Sequence, residues 1–93
     1  MTKNLGLIQG RHEIPNISGY VFDGDIEDVT DTEAMEATAS KVLEGVDELH
    51  LYVTGLTVAL TSVLNVCLRE GIEVVLYHFD RDLGAYFPQV MFH

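Results

Sequence analysis

Apolar positions along the chain fall into short runs separated by glycine, proline and acidic clusters. Residues 5–9 form an apolar run that ends at Gly10 and predicts a first strand. The stretch Gly19-Tyr20-Val21-Phe22 predicts a short extended segment, and residues 23–31 a loop. Thr30 and Glu33 have the spacing of a capping box, so a first helix is expected to begin there. Met35, Ala39, Val42 and Val46 recur at helical spacing as one apolar stripe, and Gly45 is a stop near its end. Residues 49–54 predict a strand with Leu49, Leu51 and Val53 on one side and His50 and Tyr52 on the other. Thr54-Gly55-Leu56-Thr57 then turns the chain into a second helix over residues 58–70, closed by Gly71. Residues 72–79 are apolar almost without interruption, the pattern of a strand covered on both faces. A turn over residues 80–84 leads to a returning antiparallel strand, residues 85–92, which Pro88 places at an edge.

Strand, helix, strand, helix, strand and a terminal hairpin argue for an α/β layer with a mostly parallel sheet. Ninety-three residues make a single domain, residues 1–93. Ligands of such sheets gather at the carboxyl ends of the strands. Three segments leave those ends: Gly10-Arg11-His12, Thr54-Gly55-Leu56-Thr57 and His78-Phe79-Asp80-Arg81. The second helix is apolar around most of its circumference, with Thr61, Ser62, Asn65 and Arg69 as a narrow polar stripe. A small domain covers one side of a helix more easily than both. A second copy of the chain is therefore expected over this helix, although a central helix buried by its own domain has the same pattern.

Charge narrows the partners. Five bases face fifteen acids, and residues 23–36 hold seven of those acids with no base. Such a chain repels long nucleic acid and anionic membrane. A small anion in one pocket is less affected, because salt screens charges beyond about 10 Å. No apolar run approaches the roughly 20 residues of a membrane span, and the first residues lack the apolar stretch of a signal peptide. With the single Cys67, these features predict a soluble cytoplasmic protein.

Several residues are candidates for chemistry. Amides at the start of the second helix could seat a phosphate, with Gly55 allowing close approach and Thr54 or Thr57 offering a hydroxyl. The plainer alternative is a tight turn with Thr57 as the helix cap. Arg11 can grip a phosphate in two places, and His12 can move a proton near neutral pH; equally, Arg11 can answer Glu13 or the acidic block. Asp80-Arg81-Asp82 with His78 offers metal ligands, but Asp at those positions favours a polar turn. His50 and His78, inside apolar strands, are expected to be hydrogen-bonded core or interface residues. The acidic block fails as a calcium loop: counted from Asp23, Asp28 stands where Gly is required and Ala34 where the bidentate Glu is required. Cys67, on an apolar helix without a base nearby in sequence, is expected to be a buried structural thiol.

Residues 51–89 resemble the small ring nucleases associated with type III CRISPR systems. Those are compact Rossmann-like proteins related to the domains that sense cyclic oligoadenylates (CARF-like). The resemblance rests on Leu-Tyr-Val-Thr-Gly-Leu-Thr, the long apolar helix, Val-Val-Leu-Tyr-His-Phe-Asp and Asp-Leu-Gly-Ala-Tyr-Phe-Pro-Gln. One family of this group is similar in its strand–Ser/Thr-Gly turn and in an Asp-x-x-Leu-Gly-Ala turn, here residues 80–85; a sibling carries an Arg-His pair after its first strand, matched by Arg11-His12. The first of these families has a histidine cluster on the helix before the last strand. This chain reads Asn65-Val66-Cys67-Leu68-Arg69-Glu70 there, so neither metal nor other cofactor is expected.

The resemblance implies a cyclic oligoadenylate, most often of four units, held by a two-fold dimer. It implies attack of a ribose 2′-hydroxyl on the adjacent phosphate, which leaves a 2′,3′-cyclic phosphate. Arg11 would stabilise the phosphate oxygens, His12 would transfer a proton, and the amides from Gly55 to Val58 would seat the phosphate. Gly10, Thr54, Leu56, Thr57, Arg69, Asp80 and Arg81 complete the expected ligand-binding set. Two alternatives stand beside this reading: a sponge that binds the nucleotide without cutting it, and a small interaction module that docks a partner protein through its apolar helix.

Overall fold

The structure is a computed structural model and describes residues 1–10, 14–24 and 26–92. The elements in chain order are β1 (Thr2–Ile8), β2 (Gly19–Phe22), α1 (Thr32–Val42), β3 (Glu48–Tyr52), α2 (Thr57–Glu70), β4 (Glu73–Asp80) and β5 (Ala85–Phe92). They form one five-stranded sheet of order β2-β1-β3-β4-β5. β1 to β4 are mutually parallel, and β5 is antiparallel to β4. This is the expected α/β layer with two helices and a terminal antiparallel pair.

The core lies on one side of the sheet. Leu5, Leu7, Leu49, Leu51, Val74 and Leu76 alternate inward and pack against Met35 and Ala39 of α1 and Ala59, Val63 and Val66 of α2. Lys3 shares that face and donates to the Val42 carbonyl (3.1 Å), a cation at the negative end of α1. Arg69 ties the two helices together, donating to Glu36 at 3.0 Å.

Both helices cover the same face, and strand order explains why. The crossovers β2–α1–β3 and β3–α2–β4 run in one direction across the sheet, so a common right hand puts their helices on a common side. The connection from β1 to β2 runs the other way, so the same rule puts its described residues on the opposite face. Ile14, on that connection, is buried there against Gly6. The Tyr20 ring packs against the same glycine: a Cβ at Gly6 would stand 2.5 Å from its Cδ1 and Cε1.

Three expectations need correction. α1 is capped by Asp31, whose carboxylate accepts from the Ala34 amide at 3.1 Å, and not by Thr30. The Thr30 hydroxyl and amide are both taken by Asp28 (2.6 and 2.9 Å), which also holds the Asp28 carboxyl below the usual carboxylate range. α2 begins at Thr57 with Leu56 as its cap residue, so Thr57 is not the cap. β4 is covered on one face only: Val74 and Leu76 are buried, whereas Val75 and Tyr77 are half-buried and Phe79 is exposed.

α2 is largely covered by its own domain. Ala59, Ser62, Val63, Val66 and Cys67 are buried, and the Ser62 hydroxyl is satisfied by the Val58 carbonyl at 2.7 Å. The apolar remainder is one flank, with Leu60 and Leu64 half-buried and Leu68 exposed. Among the described residues no helix is long and apolar enough to cross a membrane.

Candidate functional site

The strand order reverses beside β1: the chain moves outward from β1 to β2, then returns past it to β3. Connections on the two sides of such a reversal diverge to opposite faces. This leaves a crevice between the carboxyl ends of β1 and β3, where open α/β sheets take their ligands.

One side chain joins the walls of that crevice. The Thr54 hydroxyl donates to the Ile8 carbonyl at 2.9 Å and accepts from the Ile8 amide at 3.3 Å. It thereby continues the β1–β3 pairing beyond the last paired residues, Gly6 and Tyr52. This use of the hydroxyl differs from the expected one, since its donor is directed to backbone and not to a ligand. Gly55 follows in the left-handed region, at φ 73°, which turns the chain from the strand into α2. Space is not the reason for glycine, because an added Cβ would meet Ile8 Cδ1 at an ordinary 3.7 Å.

Leu56 supplies no capping side chain, so the first-turn amides of the fourteen-residue α2 keep their donors uncapped at the edge of the crevice. Leu56 itself is half-buried against the core, and Thr57 is exposed in the first turn. Gly10 is exposed just past the end of β1, with no neighbour near its Cβ direction. Arg11 and His12, the expected catalytic pair, lie outside the described residues.

The β4–β5 turn leaves the same edge of the sheet. Asp80 accepts from the amides of Asp82 (2.8 Å) and Leu83 (3.2 Å), and its own carbonyl accepts from Gly84 at 2.8 Å. The aspartate therefore shapes a polar turn. Among the described residues no group of three His, Cys, Asp or Glu side chains is placed to hold a metal ion. Arg81 is exposed in this turn and forms no ion pair with the other described residues. Gly10, Thr54, Gly55, Leu56, Thr57, Asp80 and Arg81 thus share one edge. Arg69 does not join them; it sits in the last turn of α2, at the opposite edge, paired with Glu36.

A cavity of about 320 Å³ lies beyond β2 under the start of α1 and is lined by Asp23, Glu27, Asp28 and Asp31 among others. Its carboxylates disfavour an anion. The β1–β3 reversal, bordered by the uncapped amides of α2, is the better anion site.

One group, the tyrosines, escaped sequence reasoning. All four tyrosines of the chain stand on the sheet face away from the helices. Tyr52 stacks on Tyr77 (centroids 4.6 Å, 11° between planes), and Tyr86 meets Tyr52 edge-on at 5.0 Å. Burial, then the nearby Tyr20 and Tyr52 phenols, push the Tyr86 hydroxyl above the ordinary tyrosine range. On the same face His50 bridges Glu48 (2.7 Å) and the Tyr77 hydroxyl (3.0 Å). His78 bonds Gln89 at 2.8 Å. Both histidines are hydrogen-bonded, as their positions in apolar strands imply. The period-two alternation of Tyr52 with Leu51, and of Tyr77 with Leu76, was the signal for the tyrosine face.

Comparisons with known proteins add nothing to this geometry: no family model, no curated protein and no solved structure matches the chain.

Proposed function

We propose that the chain is a Rossmann-like, CARF-like protein that binds a cyclic oligoadenylate at the carboxyl edge of its sheet and cleaves it, switching off type III CRISPR signalling. The observation that carries this reading is the crevice at the strand-order reversal, closed by the Thr54–Ile8 hydrogen bonds and bordered by the uncapped start of α2. That arrangement favours a phosphate: backbone amides point at it, and the α2 dipole adds partial positive charge. Arg81, exposed on the same edge, supplies a cation for a second phosphate of the ring. The reaction requires neither redox change nor group carrier. Arg11 and His12 follow Gly10 directly in sequence, so they belong to a segment leaving the same strand end. In this mechanism His12 takes the 2′-hydroxyl proton or returns one to the leaving 5′-oxygen, and Arg11 neutralises the phosphate oxygens.

A non-cleaving sponge is the second reading. It is favoured by the chemistry of the described part of the edge, which offers amides, a bonded hydroxyl and an Asp80 engaged in its own turn. One experiment separates the readings. The purified protein is incubated with cyclic tetra-adenylate in EDTA and the nucleotide is analysed by mass spectrometry. A linear product with a 2′,3′-cyclic phosphate supports cleavage, and intact ring that stays protein-bound supports the sponge. Absence of binding rejects both.

A further inference from the structure

Phe79 is the last apolar side chain of β4 and stands on the sheet face away from the helices. It is 54% exposed, although a ring of this size is ordinarily buried. Its orientation is nevertheless held. Tyr86, its cross-strand partner on β5, meets it at a steep tilt (centroids 5.4 Å, 65° between planes). Tyr86 in turn meets Tyr52 edge-on, and Tyr52 stacks on Tyr77. The contact on Phe79 is tilted and not stacked, which leaves ring face open to solvent.

Phe79 also stands beside the candidate site. The Val53 amide donates to the Tyr77 carbonyl at 2.9 Å, which carries the parallel β3–β4 pairing past Tyr52 and Tyr77. Two positions beyond that last pair, Thr54 and Phe79 come level, with backbones about one strand spacing of 4.8 Å apart. Thr54 bridges the crevice, and α2 opens just after it on the helix side. A nucleotide with its phosphate at the α2 amides has its base within reach of the other side of this edge.

We infer that Phe79 is the base-stacking platform of this site: an adenine of the cyclic oligoadenylate lies on its exposed face, with Tyr86 bracing the ring. The inference rests on the nucleotide reading and names the group that holds the base. Two observations select a base as the occupant. Tyr52, Tyr77 and Tyr86 are half-buried, so the exposed aromatic surface on this face is about one ring wide. That matches a base and falls far short of the roughly 800 Å² per partner of a protein interface. Stacking also draws on ring faces and needs no positive charge, so Asp80 and Asp82 in the adjoining turn leave it intact.

The test measures half-saturation by cyclic tetra-adenylate, from initial rates where the ring is cut and from equilibrium dialysis where it stays whole. Phe79→Ala should raise that concentration at least about fivefold, the loss expected for one stacked base. Phe79→Leu, which keeps an apolar side chain without a ring, should lose as much. Phe79→Trp should bind at least as well as the wild type, with its fluorescence quenched by the nucleotide. Leu83→Ala, in the adjoining turn at a residue that is 70% exposed, should bind unchanged. Each variant should keep the wild-type circular dichroism and mass in solution. A wild type that neither holds nor cuts the nucleotide rejects the nucleotide reading, and this subsite with it. A wild type that holds it, with Phe79→Ala or Phe79→Leu binding equally well, rejects the platform alone. A Phe79→Ala whose mass changes along with its affinity also overturns the platform, because Phe79 then meets another protein chain. If Phe79→Ala does not fold, Phe79→Leu against Phe79→Trp decides.

Discussion

Thr54 does at the residue scale what no spacing rule could announce. Its position between a strand and a helix marked it as a candidate, but its partner, Ile8, lies 46 residues away. Thr54→Val keeps the shape and leaves the Ile8 amide and carbonyl unpaired. It should cost about 1–3 kcal/mol in urea denaturation, with Thr54→Ser close to wild type. Gly6 was legible in principle, since a glycine inside an apolar strand signals a close approach. What approaches is the Tyr20 ring, so Gly6→Ala should destabilise by about 1–3 kcal/mol, read from the same titration. Cys67 fits its expected role. Burial, and then the Glu70 carboxylate, push its thiol up to about 12 from an ordinary 9.0. The folded chain therefore keeps this proton where the unfolded chain loses it. Stability from Cys67 is complete below about pH 9 and falls as pH rises toward 12. At pH 8 a thiol reagent should label the native protein far more slowly than the urea-unfolded one.

Elements were legible in number, order and type, and less so in their ends and coverings. The start of α1 shows why. Two cap residues one position apart competed, and Asp28 settled the matter by engaging Thr30. Asp31→Ala should accordingly cost about 1 kcal/mol and Glu33→Ala little, whereas a capping box would make both matter. Equilibrium denaturation of the two variants distinguishes these cases. β4 shows a different limit. Its apolar run reads as two covered faces, yet Val75, Tyr77 and Phe79 face no second helix layer. A hydrophobic pattern records that a surface is kept from water. It does not record whether a helix, a neighbouring ring or another molecule keeps it so.

For the whole molecule, the mostly parallel sheet followed from the alternation of elements, but the neighbours of each strand did not. That β2 lies outside β1 creates the reversal, and with it the crevice on which the nucleotide reading depends. The acid excess also acts at this scale. Between about 10 mM and 150 mM salt the screening length falls from about 30 to 8 Å, so self-repulsion weakens and the melting temperature should rise. A fall would mean that attractive pairs such as Arg69–Glu36 dominate the balance. The joining of β1 to β3 has a further consequence, for kinetics. β4 and β5 are joined by a short turn and can zip locally, whereas the β1–β3 seam closes a loop of more than forty residues. The Thr54–Ile8 bonds sit at the far end of that seam and should form after the rate-limiting barrier. Thr54→Val should then leave the refolding arm of a chevron plot nearly unmoved and accelerate the unfolding arm, which makes Thr54 a determinant of how long the fold survives more than of how fast it is reached.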